Sequence, residues 1–108
     1  MIKLTVEEQS SSFSYFVVEG HSTMGKKGNN ILCAGVSSLI QTILLGLLQV
    51  MELDLDITKR DGFIDCQFPD HITPQDREGI NLLIMTMITA YQDLMKQYPD
   101  EMEIVWID

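Results

Sequence analysis

Apolar and polar residues trade places along this chain in two distinct rhythms. At the start, Ile2, Leu4 and Val6 alternate with Lys3 and Thr5, the period-two pattern of a half-buried strand. Glu7-Glu8-Gln9-Ser10-Ser11-Ser12 is polar turn material leading into a second strand over Phe13–Glu19, so the two predict a hairpin. From Ile31 to Met51 the apolar residues spread over more than one helical face, which predicts a buried helix. Alternation returns at Leu53, Leu55 and Ile57 against Asp54, Asp56 and Thr58, and Asp61-Gly62 turns the chain into Phe63–Phe68, a second hairpin. Thr73 and Pro74 supply a cap and a first-turn proline for a long amphipathic helix. Its apolar stripe runs from Ile80 through Leu83, Ile84, Met87, Ile88, Tyr91, Leu94 and Met95 to Tyr98, stopping at Pro99. Met102, Ile104 and Trp106 form a last strand. The order β-β-α-β-β-α-β predicts a two-layer α+β fold, a mostly antiparallel sheet with two helices on one face.

A chain of 108 residues with 45% hydrophobic content suits one domain spanning residues 1–108, small enough that burying more surface in a homodimer is favoured. The excess apolar surface of the first helix points the same way. Ser37, Ser38, Gln41, Thr42 and Gln49 interrupt that helix, so it lacks the unbroken run of about 20 apolar residues of a membrane span, and no membrane partner is expected. Two cysteines, and an N-terminus read as carrying no secretory segment, fit a reducing cytoplasm with both thiols reduced. A net charge of −9 with only seven Lys and Arg leaves no basic stripe for phosphates. Direct nucleic-acid binding is therefore not expected, and a cationic partner or peptide is.

The candidate chemistry lies in His21 and Cys33, separated by a polar loop with two glycines. A cysteine hydrolase needs a thiolate and an imidazole within reach of each other. Here a strand ends at Gly20-His21 and a helix carries Cys33 in its first turn. Asn30 is placed to cap that helix, leaving Cys33 near unpaired backbone N–H groups that favour thiolate and can hold an oxyanion. Asn30, Cys33, Ser37 and Gln41 share one polar seam. Each residue has a plainer role as well: Cys33 as buried core, His21 as a solvated strand end, the intervening loop as surface, and Ser37 as a hydroxyl bonded back to the preceding turn. Cys66, between alternating strand residues, reads as core, and His71 as loop. No cluster has metal-ligand spacing, so neither metal nor cofactor is expected.

Gly20-His21, Gly28, Ile31-Leu32-Cys33-Ala34, Val36-Ser37, Leu39, Gln41-Thr42 and Gly46-Leu47 together resemble the signature of the ribosomal-processing cysteine protease family. That resemblance implies a cytoplasmic homodimer that removes a short N-terminal extension from a large-subunit ribosomal protein, cutting after an aromatic pair. It implies His21 as general base, Cys33 as nucleophile and Ser37 as an accessory polar residue, with Gly20 and Asn30 also in the site. Asn30 stands where many members carry Asp, and Ser22 where many carry Ala. Two other readings use the same residues: a catalytically inactive dimeric homologue that binds a ribosomal-protein segment or peptide, and a thiol redox sensor built on Cys33.

Overall fold

The structure is a computed structural model that describes residues 1–21 and 31–108. Among the described residues, five strands and two helices follow the predicted order: β1 (Ile2–Gln9), β2 (Ser12–Gly20), α1 (Ile31–Leu45), β3 (Asp56–Arg60), β4 (Phe63–Gln67), α2 (Pro74–Gln97) and β5 (Met102–Ile107). The sheet order is β3-β4-β2-β1-β5, antiparallel except where β5 lies parallel to β1.

Registry follows from which side chains are apolar. Ile2, Leu4 and Val6 of β1 stand beside Val18 and Phe16 of β2, then Ile64 and Cys66 of β4, all on the face that the helices cover. Against this face α1 lays Leu32, Val36, Ile40, Ile43 and Leu44, and α2 lays Ile80, Ile84, Met87, Ile88 and Tyr91, making one core. A one-residue slip of any strand would turn its apolar set to solvent, so the pattern fixes the pairing. The Tyr91 hydroxyl sits inside this core, donating toward the carbonyls of Glu103 (2.8 Å) and Ile2 (3.0 Å) on the neighbouring strands β5 and β1. Burial holds that phenol above its ordinary range.

The β1–β2 turn puts Ser10 (φ 50°) and Ser11 (φ 63°) in the left-handed region, the conformation a two-residue hairpin requires but serine adopts at some cost. Asn81 of α2 helps hold the turn, its amide donating to the Ser11 carbonyl at 3.0 Å. As expected, α2 starts on Thr73, whose hydroxyl accepts from the Asp76 amide at 3.1 Å, with Pro74 in the first turn.

Two expectations need correction. The helix foreseen over Ile31–Met51 is α-helical only to Leu45, after which Gly46–Val50 form a wider π turn closed by the Met51 amide on the Gly46 carbonyl at 2.9 Å. It is not buried all round either, since Ile31 (83% exposed), Leu45 (53%) and Val50 (82%) face outward. By length and composition Ile31–Val50 would suffice to cross a membrane, and in this fold its inner stripe packs on the sheet. The alternation at Leu53 and Leu55 is not strand: β3 begins at Asp56, opposite Gln67, the last residue of β4. Leu53 instead donates its amide to the Leu47 carbonyl at 3.0 Å, and both leucines pack on the core.

Candidate active site

The start of α1, the end of β2 and the β3–β4 hairpin enclose a cavity of about 360 Å³. Its helical wall is Cys33, Ala34, Val36, Ser37, Ile40 and Gln41. The opposite wall runs from Lys59 to Ile64, and Gly20 and His21 close it where β2 ends. His21 and Cys33, twelve positions apart in sequence, thus line one space. Both are accessible, His21 exposed and Cys33 half-buried.

Helical spacing explains the first wall. Cys33, Ser37 and Gln41 follow one another at four-residue intervals, so they stack along one stripe, and all three are half-buried. The Gln41 amide donates to the Ser37 hydroxyl oxygen at 2.9 Å. Its other end, Oε1, accepts from the Lys59 ammonium across the cavity mouth. Lysine can only donate, so this contact fixes which end of the amide faces Ser37. The Ser37 hydroxyl, having accepted, keeps its own proton to give. Thr42, on the far side of the helix, shows the other behaviour, donating back to the Ser38 carbonyl at 2.7 Å.

At the second wall the strand carrying the histidine is tied to the hairpin. Glu19 pairs with Phe63, and one step further the Gly20 amide donates to the Gly62 carbonyl at 2.9 Å. Both glycines have positive φ, 101° and 67°. A side chain at Gly20 would overlap the Met1 carbonyl oxygen. The nitrogen of Met1 donates to the His21 carbonyl at 2.6 Å. Arg60 caps the hairpin by lying over the Phe63 ring, 4.1 Å from its centroid.

Gly20, His21, Cys33 and Ser37, singled out in the sequence, are therefore brought together. Asn30 and Ser22 lie outside the described residues. The sequence reading missed the hairpin wall: Asp61-Gly62 was legible as a turn, but nothing in it said which strand end it would meet. Cys66 is placed as foreseen, fully buried in β4, and burial together with the neighbouring Asp65 carboxylate pushes its thiol up to about 12. His71 is exposed in the loop before α2. Among the described residues, no three His, Cys, Asp or Glu side chains are grouped to hold a metal ion.

A thiol on a helix start, an imidazole on a facing strand end and hydrogen-bond donors along the groove between them are the groups that acyl transfer uses. Comparison with known proteins agrees. The ribosomal processing cysteine protease Prp of Bacillus subtilis is 24% identical over 107 residues, covering 96% of each chain. A crystal structure of the essential ribosomal processing protease Prp from S. aureus, in complex with a covalently linked product peptide, superposes with a TM-score of 0.86 at 21% identity. It covers 98% of this chain and 99% of that one. The same S. aureus protease in complex with a substrate peptide gives a TM-score of 0.81 at 18% identity, with the same coverage. The family described as cysteine protease Prp matches residues 1–103, so the chain belongs to the cysteine protease Prp family.

Proposed function

We propose that this protein removes the N-terminal extension of a large-subunit ribosomal protein, with Cys33 as nucleophile and His21 as base. The observation that carries the reading is that these two residues line one open cavity in a member of a cysteine protease family. His21 takes the Cys33 proton, and the thiolate adds to the scissile carbonyl. Backbone N–H groups at the start of α1, at the positive end of the helix dipole, receive the oxyanion. As the carbonyl reforms, the C–N bond breaks and the imidazolium gives its proton to the departing amine. Water, deprotonated by His21, then hydrolyses the thioester. The covalently linked product peptide of the S. aureus protein supports such a covalent route here. Gly20 shapes the strand end that delivers His21, Ser37 donates into the groove beside Cys33, and Asn30 is assigned the helix cap from its sequence position.

The enzyme works in the cytoplasm as a homodimer. Leu45 at the end of α1, Val50 in the π turn after it, and Leu82 and Met85 of α2 are exposed apolar side chains that a second copy would cover. Light scattering at tens of micromolar, an order-of-magnitude concentration for a specific interface, should give twice the monomer mass, and a monomer would contradict the dimer. The test of function is a peptide spanning the extension, followed by mass. The parent should cut it once, and Cys33→Ala and His21→Ala should bind it uncut. A peptide bound but left whole by the parent would favour the binding-module reading.

A further inference from the structure

The hairpin wall holds a feature that the acyl-transfer chemistry does not itself demand. Gly62 has φ +67°, and the imidazole of His21 occupies the space that a Cβ at this position would take. A Cβ built at position 62 would stand 2.8 Å from His21 Cε1 and 3.1 Å from Cδ2, and closer still to Nε2. Real Cβ atoms essentially never approach heavy atoms under 3.0 Å, so any side chain here would displace the ring. The backbone is anchored at the same point by the Gly20 amide on the Gly62 carbonyl at 2.9 Å. The hairpin therefore holds the strand end by a hydrogen bond and leaves the ring room that only a residue without a Cβ gives.

We infer that Gly62 is a positioning residue for the His21 imidazole: the β3–β4 hairpin tip is the seat that sets where the base stands relative to Cys33. This rests on His21 being the base. Positive φ alone would explain a glycine at a turn, so the test must separate backbone preference from contact with the ring. Asparagine tolerates positive φ yet carries a Cβ.

Gly62→Asn should fold while displacing the imidazole, and misplacement of a catalytic group by about 1 Å can cost on the order of a hundredfold in rate. Peptide turnover by Gly62→Asn is expected to fall by about that factor. The rate of Cys33 alkylation against pH should move from the parent's profile to that of His21→Ala, a change that a merely structural glycine would not produce. Parental turnover and a parental alkylation profile in folded Gly62→Asn would overturn the proposal. If His21→Ala itself keeps turnover, the base assignment fails, and the assignment of Gly62 with it. If instead His21→Ala is inactive while Gly62→Asn is not, the failure belongs to Gly62 alone. Should Gly62→Asn not fold, the same substitution in the His21→Ala background decides. A fold recovered there shows that the ring is what the side chain meets, and a fold lost in both backgrounds overturns the proposal.

Discussion

Cys33 and Cys66 are the same residue in two settings. Cys33 sits in the first turn of α1, half-buried, with its side chain at the wall of an open cavity that His21 shares. Cys66 sits mid-strand in β4, fully buried between Phe16 and Ile57 in the sheet register. In the second setting water is excluded and the Asp65 carboxylate is adjacent, so the anion is disfavoured and the thiol titrates at about 12. The pair teaches that a thiol's function here is set by the element that carries it. An α-helix start offers the positive end of the helix dipole and access, whereas a central strand offers neither.

The largest effect that can break this contrast is on turnover. Cys33→Ala should abolish peptide cleavage while leaving thermal unfolding near the parent's. Cys66→Ala should keep cleavage and lose stability, by about 1–2 kcal/mol for a small buried group removed from a packed core. Cleavage lost in Cys66→Ala with the fold intact would reverse the assignment. Labelling kinetics sharpen the same comparison. At pH 8 a thiol titrating at about 12 is ionised in about one molecule in 10⁴, so an alkylating reagent should modify Cys33 faster than Cys66 by roughly two orders of magnitude or more. Peptide mapping after timed quenching measures it.

Cys66 also leaves a mark on stability. Its native pKa lies above the ordinary value of 9.0, so above pH 9 the unfolded chain releases a proton that the folded one keeps. Folding stability is then fully present below pH 9 and falls by about 1.4 kcal/mol per pH unit toward pH 12. The buried Tyr91 phenol adds a loss of the same sign above pH 10. Denaturant titrations between pH 9 and 11 should show the decline, and Cys66→Ala should make it shallower. An unchanged slope would mean that Cys66 is less sheltered than its burial indicates.

The smallest expected effects belong to the donors beside Cys33. If Ser37 donates to the substrate as proposed, Ser37→Ala removes one neutral hydrogen bond worth about 0.5–1.5 kcal/mol, so kcat/KM should fall roughly two- to tenfold. Lys59→Met should reproduce part of that loss by releasing the Gln41 amide that orients Ser37. No change in either variant would reduce the Lys59–Gln41–Ser37 chain to surface packing.

Much of this was legible in the sequence, for identifiable reasons. Period-two and helical alternation each force a side chain to one face, so β1, β2, β4 and the stripe of α2 followed from the residues themselves. Thr73 and Pro74 announced the start of α2 through local capping chemistry. His21 and Cys33 were legible as a pair because each stands at the end of a predicted element. What was not legible depends on partners distant in sequence. Leu53 and Leu55 alternate as a strand would, but β4 is too short to pair with them. The π turn after Leu45 has no periodic signature, and Gly46, whose added Cβ would lie 3.2 Å from Leu83, is understood only once α2 is in place. The seat that Gly62 gives His21 likewise arises only when the β3–β4 hairpin docks beside the end of β2.

The most direct test of the central claim is covalent trapping with a peptide of the extension sequence that ends in an electrophilic ketone. After brief exposure near neutral pH and digestion, the account predicts one peptide adduct per chain, located on Cys33 and formed much more slowly in His21→Ala. An adduct on Cys66, or labelling of Cys33 at the same rate with and without His21, would contradict it.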